Sequence, residues 1–100
     1  MMNCVELKIS VLLSIQRALL GAITPNIRGI TCAWNESKIT IYCYFDGEIT
    51  EEDEDSMDCV ATEVIADFLE HTVDLQCITV SMSESLTQHR LLAWVYMRKE

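Results

Sequence analysis

The chain predicts an α+β domain of order α-β-β-α-β-β, its helices packed on one face of a four-stranded, mostly antiparallel sheet. Three observations point there. Apolar residues recur at helical spacing in two separate stretches, strict alternation marks a strand pair between them, and two further apolar runs close the chain. At 100 residues, half of them hydrophobic, with three Gly and one Pro, this is one domain over residues 1–100. It is neither disordered nor low in complexity.

The first helix is expected over about residues 6–20. Leu7, Val11, Ile15, Ala18, Leu19 and Ala22 form its buried stripe, with Ile9, Leu12 and Leu13 beside it. Residues 5–11 also alternate like a strand, but the length and the leucines at 12, 13, 19 and 20 favour helix. Gly21 suits a stop, and Thr24-Pro25-Asn26 forces a turn. The strand Arg28–Trp34 then places Ile30, Cys32 and Trp34 on one face. The strand Lys38–Asp46 alternates Ile39, Ile41, Cys43 and Phe45 with Thr40, Tyr42 and Tyr44. Asn35-Glu36-Ser37 between them has hairpin length.

Asp46-Gly47 ends the second strand, and Thr50 with Asp53 three residues later reads as a helix N-cap. The second helix is expected from about Glu51 to Glu70, with Met57, Val60, Ala61, Val64, Ile65 and Phe68 as its apolar stripe. Val73–Met82 and Leu91–Met97 complete the strands, separated by the polar loop Ser83–Arg90.

Charge is the unusual property. Sixteen acidic residues against seven basic ones give −9. No Lys or Arg lies between Lys38 and Arg90, while 13 carboxylates accumulate there, eight of them from Asp46 to Asp58. Such a chain repels nucleic acid and anionic membrane and attracts basic partners. The five cysteines, odd in number and without a CxxC, read as small core residues of a reducing cytosol rather than as disulfides or a zinc knuckle. With no secretory signal and no apolar run near the ~20 residues of a membrane span, a soluble cytoplasmic protein is expected.

Enzyme chemistry finds no footing in the sequence. His71 and His89 sit in no nucleophile or metal constellation, and no GxSxG, phosphate-cradling loop or HExxH occurs. Calcium loops begun at Asp46 or Asp53 lack the glycine at position six. No catalytic residue, metal or cofactor is therefore expected. A few acids suffice to complement a helix N-terminus, and further ones repel each other. The excess is better explained by a surface that steers a basic partner. Its candidate residues are Asp46, Glu48, Glu51, Glu52, Asp53, Glu54, Asp55 and Asp58, extended along the helix by Glu63 and Asp67, with Tyr44 as an aromatic anchor.

Several segments carry a resemblance as well. Ile23-Thr24-Pro25-Asn26-Ile27-Arg28, the run from Tyr44 to Asp53, Ala61–Phe68 and the ending Trp94–Glu100 resemble, in order and spacing, small bacterial immunity proteins of contact-dependent growth inhibition systems. The resemblance spans residue 9 to the end. It implies a nonenzymatic inhibitor that binds the C-terminal domain of a cognate toxin, often a tRNA-cleaving nuclease, in the cytoplasm and as a 1:1 complex. It names no contact residues, so the candidates above rest on charge. An acidic module or nucleic-acid mimic for another basic protein is the alternative.

Overall fold

A computed structural model of the chain describes residues 3–100. It holds helix α1 (Cys4–Ala18), strands β1 (Ile27–Trp34) and β2 (Lys38–Phe45), helix α2 (Glu51–Asp67), strand β3 (Thr72–Thr79), a short 3-10 turn (Leu86–His89) and strand β4 (Ala93–Met97). The four strands form one sheet in the order β3-β2-β1-β4. β1 runs antiparallel to both β2 and β4, whereas β2 and β3 are parallel. The expected α+β order and the mostly antiparallel sheet are thus both present. The parallel pair requires a crossover, which α2 supplies.

Local chemistry sets the ends of the elements. Asn3 caps α1 by accepting the Glu6 N–H at 2.8 Å, so the helix begins two residues before the apolar periodicity. Asn35 Oδ1 accepts the Ser37 and Lys38 amides, both at 2.8 Å, and closes the β1–β2 turn. Helix α2 stops at Asp67 rather than Glu70. The backbone of Phe68 leaves the helical region there, and its ring enters the core.

Both helices lie on the same face of the sheet. Val11, Ile15 and Ala18 of α1 and Leu19 just after it, with Met57, Val60 and Val64 of α2, cover Ile30, Cys32, Ile39, Ile41, Cys43 and Phe45. These are the inward residues of the two alternating strands. Of the cysteines, Cys32 and Cys43 are buried as expected and Cys77 is half-buried, but Cys4 and Cys59 lie exposed on the helices.

The opposite face carries a second, smaller cluster of Tyr44, Val80 and Leu86, packed with Tyr42, Ile78 and Trp94. The polar loop expected over 83–90 is therefore no bare connector. Its one buried residue, Leu86, presses onto the sheet over Gly29, where no side chain intervenes. A Cβ on Gly29 would stand 2.7 Å from Leu86 Cδ2 and 3.0 Å from the Trp94 ring. Beside it, Thr31 donates to the Ala93 carbonyl at 2.7 Å and accepts the Leu91 N–H at 3.0 Å, fixing the start of β4 next to the bulge between β1 and β4.

Arg28 fastens this face. It is 2% exposed, and its guanidinium donates to both carboxylate oxygens of Glu100 at 2.8 Å. The remaining donors reach the carbonyls of Val80, Ser81 and Glu84 at 2.9–3.2 Å. Arg98 bridges Asp46 at 2.6 Å and Glu100 at 3.1 Å, so one carboxylate joins two arginines.

Arg28→Met should lower stability by about 2–4 kcal/mol, because it removes the donors of three carbonyls and leaves Glu100 with Arg98 as its remaining cation. Gly29→Ala should lower it by about 1–3 kcal/mol through overpacking. Urea midpoints of the two variants against the parent check both. Hydrogen bonds from Arg28, then from Arg98, hold the Glu100 carboxyl at about 2, below its ordinary 4.5. Its contribution is therefore complete above about pH 4.5 and is lost as pH falls toward 2. Glu100→Gln should be less stable at neutral pH and show a flatter stability profile across that window.

Candidate functional site

The acidic segment occupies the turn after β2 and the first half of α2. Thr50 and Asp53 form a reciprocal capping box. Thr50 Oγ1 accepts the Asp53 N–H at 3.1 Å, and Asp53 Oδ2 accepts the Thr50 N–H at 3.0 Å. Asp53 also accepts from Asn26 Nδ2 at 3.1 Å, tying the helix start to the turn before β1. The Thr50 amide bond is the largest cause holding its carboxyl below the usual aspartate range. Glu51, Glu52, Asp53 and Glu54 fall in the first turn, where the helix dipole favours negative charge.

The candidate carboxylates divide by what they touch. Asp46, at the end of β2, is paired with Arg98. Asp53 serves the cap. Asp67, at the far end of α2 about 20 Å from Asp53 along the helix axis, accepts from Ser14 Oγ at 2.6 Å and Arg17 at 3.2 Å, joining the two helices. Glu48, Glu51, Glu52, Glu54, Asp55, Asp58 and Glu63 are exposed. Among the described residues none of these seven has an ion-pair partner. They constitute the unpaired anionic surface.

Tyr44 lies elsewhere. It is 3% exposed, packs against Trp94 and His89 beneath the 3-10 turn, and its hydroxyl donates to the His89 carbonyl at 2.7 Å. It supports the sheet from within and offers no free ring beside the carboxylates; Tyr42, its neighbour on that face, is half-buried.

A recess of about 200 Å³ opens at the start of α2. Ala22, Ile27, Phe45 and Met57 form its apolar walls, and Glu52 and Asp53 stand among its polar ones. An apolar recess with carboxylates beside it can take the aliphatic stem and charged head of a basic side chain.

Burial pushes the Cys32 thiol up to about 12 and raises Cys43 as well, whereas Cys4 and Cys59 are exposed. His71 Nε2 lies 3.0 Å from the Asn35 carbonyl, and His89 Nε2 lies 3.3 Å from Glu84. Among the described residues no three His, Cys, Asp or Glu side chains converge on a point where a metal would sit. No helix there is long and apolar enough to cross a membrane.

One surface was not anticipated. Val5, Ile9 and Leu13, each four residues apart on α1, remain half-exposed or more, and Leu69 after α2 is 94% exposed. The apolar residues beside the buried stripe of α1 were the available signal. Two stripes on one helix mean that one of them faces outward.

The family model described as MafI2 immunity protein matches residues 8–100 of the chain. Comparison with curated proteins finds no match.

The two classes of carboxylate should separate experimentally. Asp53→Ala should cost about 1 kcal/mol by opening the cap, whereas Glu54→Gln should change stability by less than about 0.5 kcal/mol. Thermal unfolding of the two variants distinguishes them.

Proposed function

Because this chain belongs to the MafI2 immunity protein family, whose membership implies a cognate toxin as partner, we propose that it neutralises that toxin by presenting the exposed acids of α2 to a basic groove. The observation that carries this reading is the unpaired set Glu48, Glu51, Glu52, Glu54, Asp55, Asp58 and Glu63, displayed on one turn and the helix that follows it. Like charges gathered in this way oppose folding, so their presence is best accounted for by a partner that neutralises them.

The toxin is, on this proposal, a nuclease of the contact-dependent growth inhibition type, acting on RNA in the cytoplasm. A nuclease groove is built to hold phosphates, and a surface of fixed carboxylates competes for the same cationic side chains. The inhibitor acts by occupancy in a 1:1 complex and performs no chemistry of its own. Steering by this surface raises the association rate and makes it fall with salt. The recess beside Glu52 adds a place for a lysine or arginine of the toxin to seat its stem.

The deciding variant carries Glu51→Gln, Glu52→Gln, Glu54→Gln and Asp58→Asn, leaving Asp53 and the cap intact. Its association with the toxin domain should slow by at least about tenfold at low salt, with a shallower salt dependence, and it should protect toxin-expressing cells less well. Binding and protection equal to the parent's would place the interface elsewhere.

A further inference from the structure

The two edges of the sheet are built differently. β4 has five residues, is bulged against β1, and runs directly into Arg98 and Lys99. Short, bulged edges flanked by cations resist further strand pairing. β3 has eight residues and pairs with β2 in unbroken register from Lys38↔Thr72 to Phe45↔Thr79. It contains no Pro, Lys or Arg. Asp74, paired with Lys38, is its one charged side chain, and neither a bulge nor a cation guards this edge.

The phase of the β3 ladder is set by bonds near its two ends. The Thr72 N–H donates to the Ser37 carbonyl and the Val80 N–H to the Phe45 carbonyl, both at 2.9 Å. In a parallel ladder alternate residues bond the same neighbour. Asp74, Gln76 and Ile78 therefore turn their backbone groups toward β2, and Val73, Leu75, Cys77 and Thr79 turn theirs to the open side. Four outward N–H and C=O pairs on alternate residues are a template for another strand.

We propose that the open edge of β3 accepts an extended, basic segment of the toxin as a fifth strand, flanked by the acids of α2. This rests on the toxin-binding reading above and specifies how the partner's backbone docks. Charge complementarity selects the occupant. α2 packs over β3, and Glu54 and Asp58 lie near enough for their charges to bear on Cys77. A second copy joined edge to edge would bring two α2 helices and their unpaired carboxylates together, whereas a strand bearing Lys or Arg would meet those carboxylates as partners.

Amide-resolved hydrogen exchange on the free protein and on its complex with the cognate toxin domain tests this without altering a residue. In the free protein Val73, Leu75 and Cys77 should exchange fast and Asp74, Gln76 and Ile78 slowly. In the complex the first three should slow by at least about tenfold, leaving the second three little changed. A complex in which Val73, Leu75 and Cys77 still exchange at the free rate overturns the edge proposal while leaving acid-steered binding in place. Protection that appears on concentrating the protein alone identifies a second copy as the occupant and overturns it too. Failure of any complex to form removes both readings together.

Discussion

The parallel pairing of β2 with β3 is the constraint from which much of the molecule follows. Two parallel neighbours cannot be joined by a tight turn, so the chain must leave the end of β2, cross the sheet and return to its other end. That crossing is α2, and the acidic segment is the part of the chain that makes it. The inward side of α2 must be apolar to seal the core, which Met57, Val60 and Val64 achieve. Its outward side is free of that demand. The carboxylates gather where the fold asks least of a side chain.

The basic residues are spent in the opposite manner. Arg17, Lys38 and Arg98 each pair with a carboxylate at the margin of the acidic stretch, namely Asp67, Asp74 and Asp46. Arg28 is sunk beneath the second face with Glu100. None of the four pairs with the first turn of α2, so local ion pairs offset charge at the borders and leave the centre uncompensated. The buried Arg28 does more than neutralise. By bonding the carbonyls at 80, 81 and 84 it holds down the chain that carries Leu86 onto Gly29.

Much of this was legible in the sequence because it rests on local pattern. The alternation of Ile39 to Phe45 defines one strand and its buried face, and Thr50 with Asp53 marks a helix start to the residue. The end of α2 was less so, since the 3.6-residue rhythm continues through Phe68 while the ring itself turns inward and ends the helix. Strand order could not be read at all, because parallel and antiparallel neighbours of β2 present the same alternation. The open edge was invisible for that reason. Tyr44 alternates with the core of β2, and pattern alone places it on the outward face. That face is covered by Leu86, a single apolar residue in an otherwise polar loop, too slight a signal to announce a second cluster. Charge marks the acidic segment but does not separate Asp53 and Asp67, which bond to their own fold, from Glu51 or Asp55, which do not.

Substitution falls unequally on a segment divided in this way. Exchanging Asp46, Asp53 or Asp67 disturbs a strand end, a helix cap or the seam between the helices, and so costs stability. On the proposed function, exchanging Glu48, Asp55 or Glu63, which are exposed and without an ion-pair partner among the described residues, alters only what the toxin meets. A toxin-binding surface of that kind can drift, residue by residue, while the scaffold beneath it stays the same. On that reading, lineages that diverge at these positions keep one architecture and cease to protect one another.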